Sequence, residues 1–171
     1  IPGINQVQMH DDIGLNFSSS LRSILRQDPD VLLIGEIRDE ETADIAVKFS
    51  LTGHLVFSTV HANDAPSTIA RLLDLGVPPF LLGSSLNLIM AQRLVRIICT
   101  HCKEEIPLPE AYRREMESMA DSLTTVFRGK GCENCSYTGY RGRKGIYELM
   151  LVDDKIRALI AQKSSSHILR G

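Results

Sequence analysis

The chain has 171 residues, of which 43% are hydrophobic, enough for one moderate domain with a core of its own. Its net charge of −2 argues against a surface dominated by nucleic-acid or membrane binding. No apolar run approaches the roughly 20 residues that span a bilayer, and the first residues lack the basic and apolar segments of a signal peptide. We therefore expect a soluble protein from a reducing, cytoplasmic compartment.

Short apolar runs alternate with helix-like segments through the first 98 residues. Val31–Ile34 and Leu55–Ser58 are runs typical of strands buried on both faces of a parallel sheet. Each is followed by polar residues and a helix-like stretch, which is the pattern of a parallel α/β sheet. The elements expected in chain order are a helix capped by Ser18, Ser19 and Ser20, the first strand, a helix over 39–51 capped by Asp39, the second strand, helices over 65–75 and 80–91, and a strand over 94–98.

Two CxxC pairs, separated by 29 residues, contain all four cysteines of the chain: Cys99, Cys102, Cys132 and Cys135. This is the spacing of a four-cysteine zinc site, in which each CxxC turn brings two sulfurs to one metal. With four thiolate ligands no position stays open for water, so the Zn²⁺ would be structural and not catalytic. Two disulfides or a thiol redox motif are the alternatives. A redox motif needs only one CxxC, and nothing in the sequence suggests secretion.

The segment 99–148 differs in composition from the residues before it. It contains both CxxC pairs, a polar helix-like stretch over 109–123 and the glycine-rich run 137–143, with few apolar residues for a core of its own. A last helix is expected over 153–162, followed by a frayed tail at 164–167. We therefore divide the chain into an α/β core over 1–98, a zinc-binding subdomain over 99–148 and a C-terminal helical segment over 149–171.

Polar residues follow both predicted strands, at the edge where α/β proteins bind ligands. Glu36 comes two residues after the first strand, and His61 comes three residues after the second. In nucleotide-hydrolysing α/β proteins an acidic residue at this edge serves Mg²⁺ or the attacking water. A solvated loop glutamate and a structural histidine are the simpler alternatives. His54 precedes the second strand, so we expect it at the opposite edge, where it orients the backbone.

Several longer stretches resemble the type II secretion ATPases and the closely similar type IV pilus assembly ATPases. Residues 21–30 and 35–39 resemble the Walker B region of that family, and residues 52–65 resemble its histidine box. Residues 91–94, the four cysteines and residues 139–143 resemble its tetracysteine zinc subdomain. These motifs occur in the family's order and cover nearly the whole chain.

The resemblance implies a RecA-like motor that works as a cytoplasmic homohexamer in bacteria and binds ATP and Mg²⁺ between subunits. Hydrolysis would drive assembly of a pseudopilus or pilus through inner-membrane platform proteins, and the motor would reach the membrane only through them. By this mapping Glu36 is the Walker B glutamate, His61 contacts the γ-phosphate region, and Arg38 acts with them at the catalytic site. Four further residues map near the nucleotide or subunit contacts: Arg22, Arg26, Arg71 and His54. For all four arginines, Arg38 included, surface salt bridges are the alternative.

The chain departs from the family in having no GxxxxGK[ST] sequence, which would supply backbone N–H groups and a lysine to the phosphates. The family's acidic box, expected just before residues 3–6, is also missing. We therefore expect the C-terminal part of a motor domain, which by itself binds ATP poorly and does not hydrolyse it.

A zinc-ribbon module that binds nucleic acid or protein is the alternative from another class, supported by Arg141, Arg143 and Lys144 beside Tyr137 and Tyr140. However, residues 92–149 carry 10 Lys and Arg against 8 Asp and Glu, and four thiolates with one Zn²⁺ bring the net charge to about zero. We therefore expect no nucleic-acid partner.

Between the two kinds of motor, residues 146–154 resemble the secretion ATPases slightly more.

Overall fold

The structure, a computed structural model, describes residues 2–115 and 125–169. It divides into two compact units: the first unit, Ile1–Ala91 with Glu148–Gly171, and the cysteine unit, Gln92–Tyr147. The C-terminal residues from Glu148 onward thus belong to the same unit as the N-terminal half of the chain.

The first unit begins with helix α1 (Phe17–Ile24) and continues as alternating strands and helices. In chain order these are β1 (Val31–Ile34), α2 (Glu40–Leu51), β2 (Leu55–Ser58), α3 (Ala65–Asp74) and α4 (Pro79–Ser85). After the cysteine unit the chain returns to add α6 (Asp154–Ala161) and α7 (Ser166–Leu169). The core lies between the helices and one face of the sheet, and its fully buried side chains include Ile34, Ile69, Leu82 and Ile160.

Strands β1 and β2 pair in parallel, with Val31 opposite Leu55 and Ile34 opposite Ser58, so the predicted parallel sheet is confirmed. The prediction that both faces are buried is wrong for the described residues. Leu32 and Ile34 point into the core, whereas Val31 and Leu33 are 55% and 74% exposed. The reason is that the described helices cover only one face of this two-stranded sheet.

Side-chain caps explain where most helices begin, because a carboxylate or amide oxygen there accepts from an otherwise unpaired N–H. Asp39 caps α2 as predicted, accepting from Thr42 N at 2.8 Å. Asp153 caps α6, which confirms the predicted last helix. The predicted serine cap of α1 is wrong: Asn16 accepts from Ser19 N at 2.9 Å, while Ser18 and Ser20 are buried within the helix.

The helix predicted over 80–91 is wrong in its second half. Helix α4 ends at Ser85, and the long strand β3 (Leu88–Ile98) replaces both the remainder of the helix and the shorter predicted strand. Its partner is β6 (Tyr140–Leu151), so pairing with a distant segment overrides the local pattern. The tail is not frayed throughout, since α7 forms at Ser166–Leu169 and buries Leu169 in the core.

The cysteine unit contains a second two-stranded sheet beside parts of β3 and β6. Strands β4 (Lys103–Pro107) and β5 (Thr125–Gly129) pair antiparallel, with Lys103 opposite Gly129. Helix α5 (Glu110–Glu115) covers the start of the helix predicted over 109–123, the rest of which lies outside the described residues. No helix within the described ranges has the length and apolar character needed to cross a membrane.

Candidate active site and metal centre

The loops after β1 and β2 lie together at the carboxyl edge of the parallel sheet. Thr59 Oγ1 donates to the Gly35 carbonyl oxygen at 2.7 Å, and Ile37 N donates to the Thr59 carbonyl oxygen at 3.0 Å. The two hydrogen bonds extend the contact between the strands beyond their last paired residues. They fix the segments that carry Glu36 and His61 side by side.

The Glu36 carboxylate contacts a different side chain with each of its two oxygens. His61 Nε2 lies 3.1 Å from Oε2, and an Arg38 guanidinium nitrogen lies 2.5 Å from Oε1. Hydrogen bonding to Arg38, and then to His61, lowers the pKa of the Glu36 carboxyl below its ordinary value of 4.5, although partial burial opposes the shift. Glu36 is therefore ionised throughout the physiological pH range.

This cluster has groups that can act on a phosphoryl substrate. An ionised carboxylate can orient a water molecule or bind Mg²⁺, which prefers oxygen ligands. The Glu36 side chain is only 21% exposed, whereas Arg38 and His61 are 69% and 85% exposed. The two nitrogen-bearing groups can therefore reach an anionic ligand in front of the carboxylate.

The other predicted ligand-binding residues lie apart from this cluster. His54 precedes β2; its ring stacks on Phe49 with centroids 3.9 Å apart, and its Nδ1 lies 2.9 Å from Thr52 Oγ1. Arg22 on α1 pairs with Glu41 on α2 at 2.9 Å. Arg26, in the 3₁₀ turn after α1, and Arg71, on α3, are exposed.

The four cysteines form one cluster, with all four Sγ atoms within 4.8 Å of one another. The Sγ–Sγ distances are 3.8 Å for Cys132–Cys135 and 3.9 Å for both Cys99–Cys132 and Cys102–Cys135. A disulfide needs about 2.05 Å, so the cysteines are free thiols and the disulfide alternative is wrong. Sulfurs about 3.8 Å apart match the edges of a tetrahedron whose centre is about 2.3 Å from each sulfur, the length of a Zn–S bond.

Backbone N–H groups surround the sulfurs and tune their ionisation. Burial raises the pKa of the Cys102 thiol to about 11, although Gly131 N donates to it. Burial also opposes ionisation of Cys135, but the N–H groups of Cys132 and Gly139, each 3.3 Å from Sγ, outweigh it and bring its pKa to about 6. Such N–H···S contacts stabilise thiolates, the form that binds a metal.

Two features of the sites had no recognisable signal in the sequence. Glu148 on β6 accepts a hydrogen bond from the backbone of Ala65, at the start of the helix that follows His61. Gly139, with φ of +78°, approaches the Gly129 carbonyl so closely that a Cβ would lie 2.5 Å from its oxygen. Neither contact is local in sequence, so neither could be read from the pattern around a single residue.

The described part of the chain is a mixed α/β fold of the RecA-like ATPase class, with two parallel strands, helices over one face of them, and Glu36 and His61 at their carboxyl edge. The crystal structure of the pilus retraction motor PilT with bound ADP is similar, with a TM-score of 0.56 and 28% identity over 91% of this chain and 35% of that one. The chain belongs to the type II/IV secretion system protein family, which it matches over residues 1–170.

Similar proteins include type IV pilus assembly ATPases and type II secretion system proteins. Type IV pilus assembly ATPase PilB of Myxococcus xanthus is 51% identical over 98% of this chain. Type II secretion system protein E of Klebsiella pneumoniae is 52% identical over 94% of it. The chain spans only 30% and 32% of the lengths of these two relatives.

Proposed function

We propose that this chain is the C-terminal part of the motor domain of a hexameric cytoplasmic ATPase that powers type II protein secretion by assembling a pseudopilus. The observation that carries the proposal is the pairing of Glu36 with His61 at the carboxyl edge of parallel strands, in a member of this family. Assembly of a type IV pilus is the second candidate, since relatives of both kinds are about half identical to the chain.

In this proposal the three clustered side chains divide the work of hydrolysis. ATP with Mg²⁺ supplies the phosphoryl group that is transferred to water. Glu36, kept ionised by its neighbours, orients that water or binds the metal. His61 and Arg38, the more exposed members, contact the γ-phosphate region and offset its negative charge.

The remaining predicted residues have supporting roles. Arg22, Arg26 and Arg71 would contact nucleotide or a neighbouring subunit, while His54 would orient the backbone at the start of β2. The 171 residues contain no GxxxxGK[ST] sequence, so the phosphate cradle would come from outside this sequence. We therefore expect the isolated chain to bind ATP weakly and not to hydrolyse it.

We further propose that the four cysteines bind one structural Zn²⁺. The sulfur spacing supports this assignment, because it suits a closed tetrahedral shell with no position left for substrate.

The motor would associate with the inner membrane of a bacterium only through platform proteins. A metal-stabilised cysteine unit offers a rigid surface for contacts with such proteins or with neighbouring subunits.

The experiment is a hybrid in which this chain replaces the matching segment of the Klebsiella pneumoniae secretion protein. We expect the hybrid to hydrolyse ATP and to restore secretion to cells that lack the natural protein. Replacing Glu36 by Gln should lower kcat by at least about 100-fold, the contribution of a positioned acid–base group, with little change in KM. Glu105→Gln, at an exposed position on β4, is the matched control and should leave both constants unchanged.

Two outcomes would contradict the proposal. One is a hybrid whose Glu36→Gln variant retains full activity, because the carboxylate would then have no part in hydrolysis. The other is turnover by the isolated chain at the rate of the hybrid. A parallel hybrid with the Myxococcus xanthus pilus ATPase separates the two candidates: restored piliation without restored secretion would favour the pilus motor.

A further inference from the structure

The start of α3 has a complete set of hydrogen bonds, two of them to side chains. The first turn of a helix has N–H groups without partners inside the helix. Here Ser67 N donates to Asp64 Oδ1 at 2.8 Å, Thr68 N donates to the Asp64 carbonyl, and Pro66 has no N–H. Ala65 N, the remaining donor, gives its hydrogen bond to Glu148 Oε2 at 3.0 Å.

The contact between Ala65 and Glu148 joins residues 83 positions apart in the chain. Ala65 is fully buried, so water cannot reach its N–H group. Without Glu148 this donor would therefore have no hydrogen-bond partner, which costs free energy. Glu148 lies near the end of β6, at the point where the chain re-enters the first unit. Its negative charge also suits the positive end of the helix dipole.

His61 lies between this anchored helix start and a second anchor. On one side, Thr59 is tied to the β1 loop through the Gly35 carbonyl and Ile37 N. On the other side, only Ala62 and Asn63 separate His61 from Asp64, the cap of α3. With so few residues between the anchors, a shift at the start of α3 must move His61 relative to Glu36.

We propose that Glu148 is a positioning residue for His61. By accepting from Ala65 N it fixes the start of α3, and thereby keeps the His61 imidazole within hydrogen-bonding distance of Glu36. The structural part of this inference is independent of the proposed function. Its consequence for hydrolysis rests on the proposed role of the Glu36–His61 pair.

The test compares variants of the full 171-residue chain by NMR. Glu148→Ala should accelerate exchange of the Ala65 amide proton by about tenfold, the effect of losing one hydrogen bond to a charged group. The ring nitrogen shifts of His61 should move toward those of an imidazole without a carboxylate partner. Glu148→Gln keeps an acceptor oxygen and should give a smaller change in both readouts.

Asp153→Ala is the matched control, because Asp153 caps α6 through Ile156 N at 2.9 Å, as Glu148 contacts α3. It should loosen α6 without moving the His61 signals. Unchanged Ala65 exchange or unmoved His61 signals in Glu148→Ala would overturn the inference. Equal His61 changes in Asp153→Ala would also overturn it, since the effect would then reflect general loss of stability.

The hybrid described above distinguishes this inference from the proposed function. In an active hybrid, Glu148→Ala should lower kcat by about tenfold and Glu148→Gln should lower it less, with KM nearly constant. If every hybrid is inactive while the NMR signals of Ala65 and His61 respond as expected, the proposed function fails and the positioning role of Glu148 is supported. An active hybrid whose kcat is insensitive to Glu148 would refute the catalytic consequence.

Discussion

Substitution of single cysteines offers a quantitative test of the metal centre. Three of the Sγ–Sγ distances, at 3.8 Å and 3.9 Å, are close to the edge length of a tetrahedron with Zn–S bonds of about 2.3 Å. Zn–N and Zn–O bonds are shorter, at about 2.0 to 2.2 Å. X-ray absorption spectroscopy of the purified chain should therefore detect one Zn²⁺ with four sulfur neighbours near 2.3 Å.

Replacing a ligand should weaken binding strongly, because the site has no other sulfur to substitute for it. Loss of an outer-shell partner already costs about 10- to 100-fold in metal affinity, so Cys102→Ser and Cys135→Ser should each exceed that loss. Competition with a chelator measures the affinity. His101→Ala is the matched control: His101 lies inside the first CxxC but outside the cysteine cluster, and its removal should leave four sulfur neighbours.

Purified protein that contains no metal while its four thiols are all reduced would contradict a four-cysteine zinc site. A spectrum with a nitrogen neighbour that disappears in His101→Ala would also contradict such a site, since the shell would then not be made of four cysteines.

Chelation gives an independent readout by hydrogen exchange. It should speed exchange within residues 92–147 and leave the core helices of the first unit, such as α3, protected.

Three further predictions concern packing, backbone geometry and pH. Leu82→Ala, at a fully buried position, should lower the free energy of unfolding by about 2–5 kcal/mol in urea titrations, whereas Phe80→Ala, at a position 68% exposed, should change it by less than about 0.5 kcal/mol. Gly139→Ala should destabilise the cysteine unit more than Gly142→Ala does, because both have positive φ but only the first puts a Cβ 2.5 Å from a carbonyl oxygen; thermal unfolding of the two variants checks this order. Since the folded-state pKa of Glu36 is lowered, its contribution to stability is present above the ordinary value of 4.5 and is lost as the pH falls through the folded-state value; the stability difference between the wild-type chain and Glu36→Gln should therefore shrink as the solution is acidified below pH 4.5.

The local chemistry of the sequence determined several elements of the first unit and the four thiols of the cysteine cluster. Asp39 caps the helix that it was predicted to cap, and the helix predicted over 153–162 forms with Asp153 as its cap, because capping depends on one side chain and the backbone three residues away. The CxxC pairs predicted the sulfur cluster for a similar reason: each pair brings two sulfurs together within one turn. The edge on which Glu36 and His61 meet followed from the direction of parallel strands.

The elements that were wrongly predicted depend on partners distant in the chain. Residues 88–91 have a pattern compatible with a helix, but they form the start of β3 because that strand pairs with β6. Val31 and Leu33 read as buried because they are apolar, yet burial requires a layer over that face of the sheet, which the described residues do not provide. Sequence periodicity shows which residues of a segment could be buried, but it does not show whether another layer of the fold covers them.

The sequence alone determined which chemical groups this protein has: a carboxylate and a histidine after two strands, four thiols at metal-ligand spacing, and no phosphate-binding loop in the 171 residues. Only the tertiary structure decided how they are arranged. It pairs each oxygen of Glu36 with a different side chain, places His54 away from that cluster, and ties the start of α3 to Glu148. The contacts of Glu36 with His61 and of Glu148 with the Ala65 backbone join segments that are distant in the chain, so their distances are set by packing of the whole unit and not by local propensity.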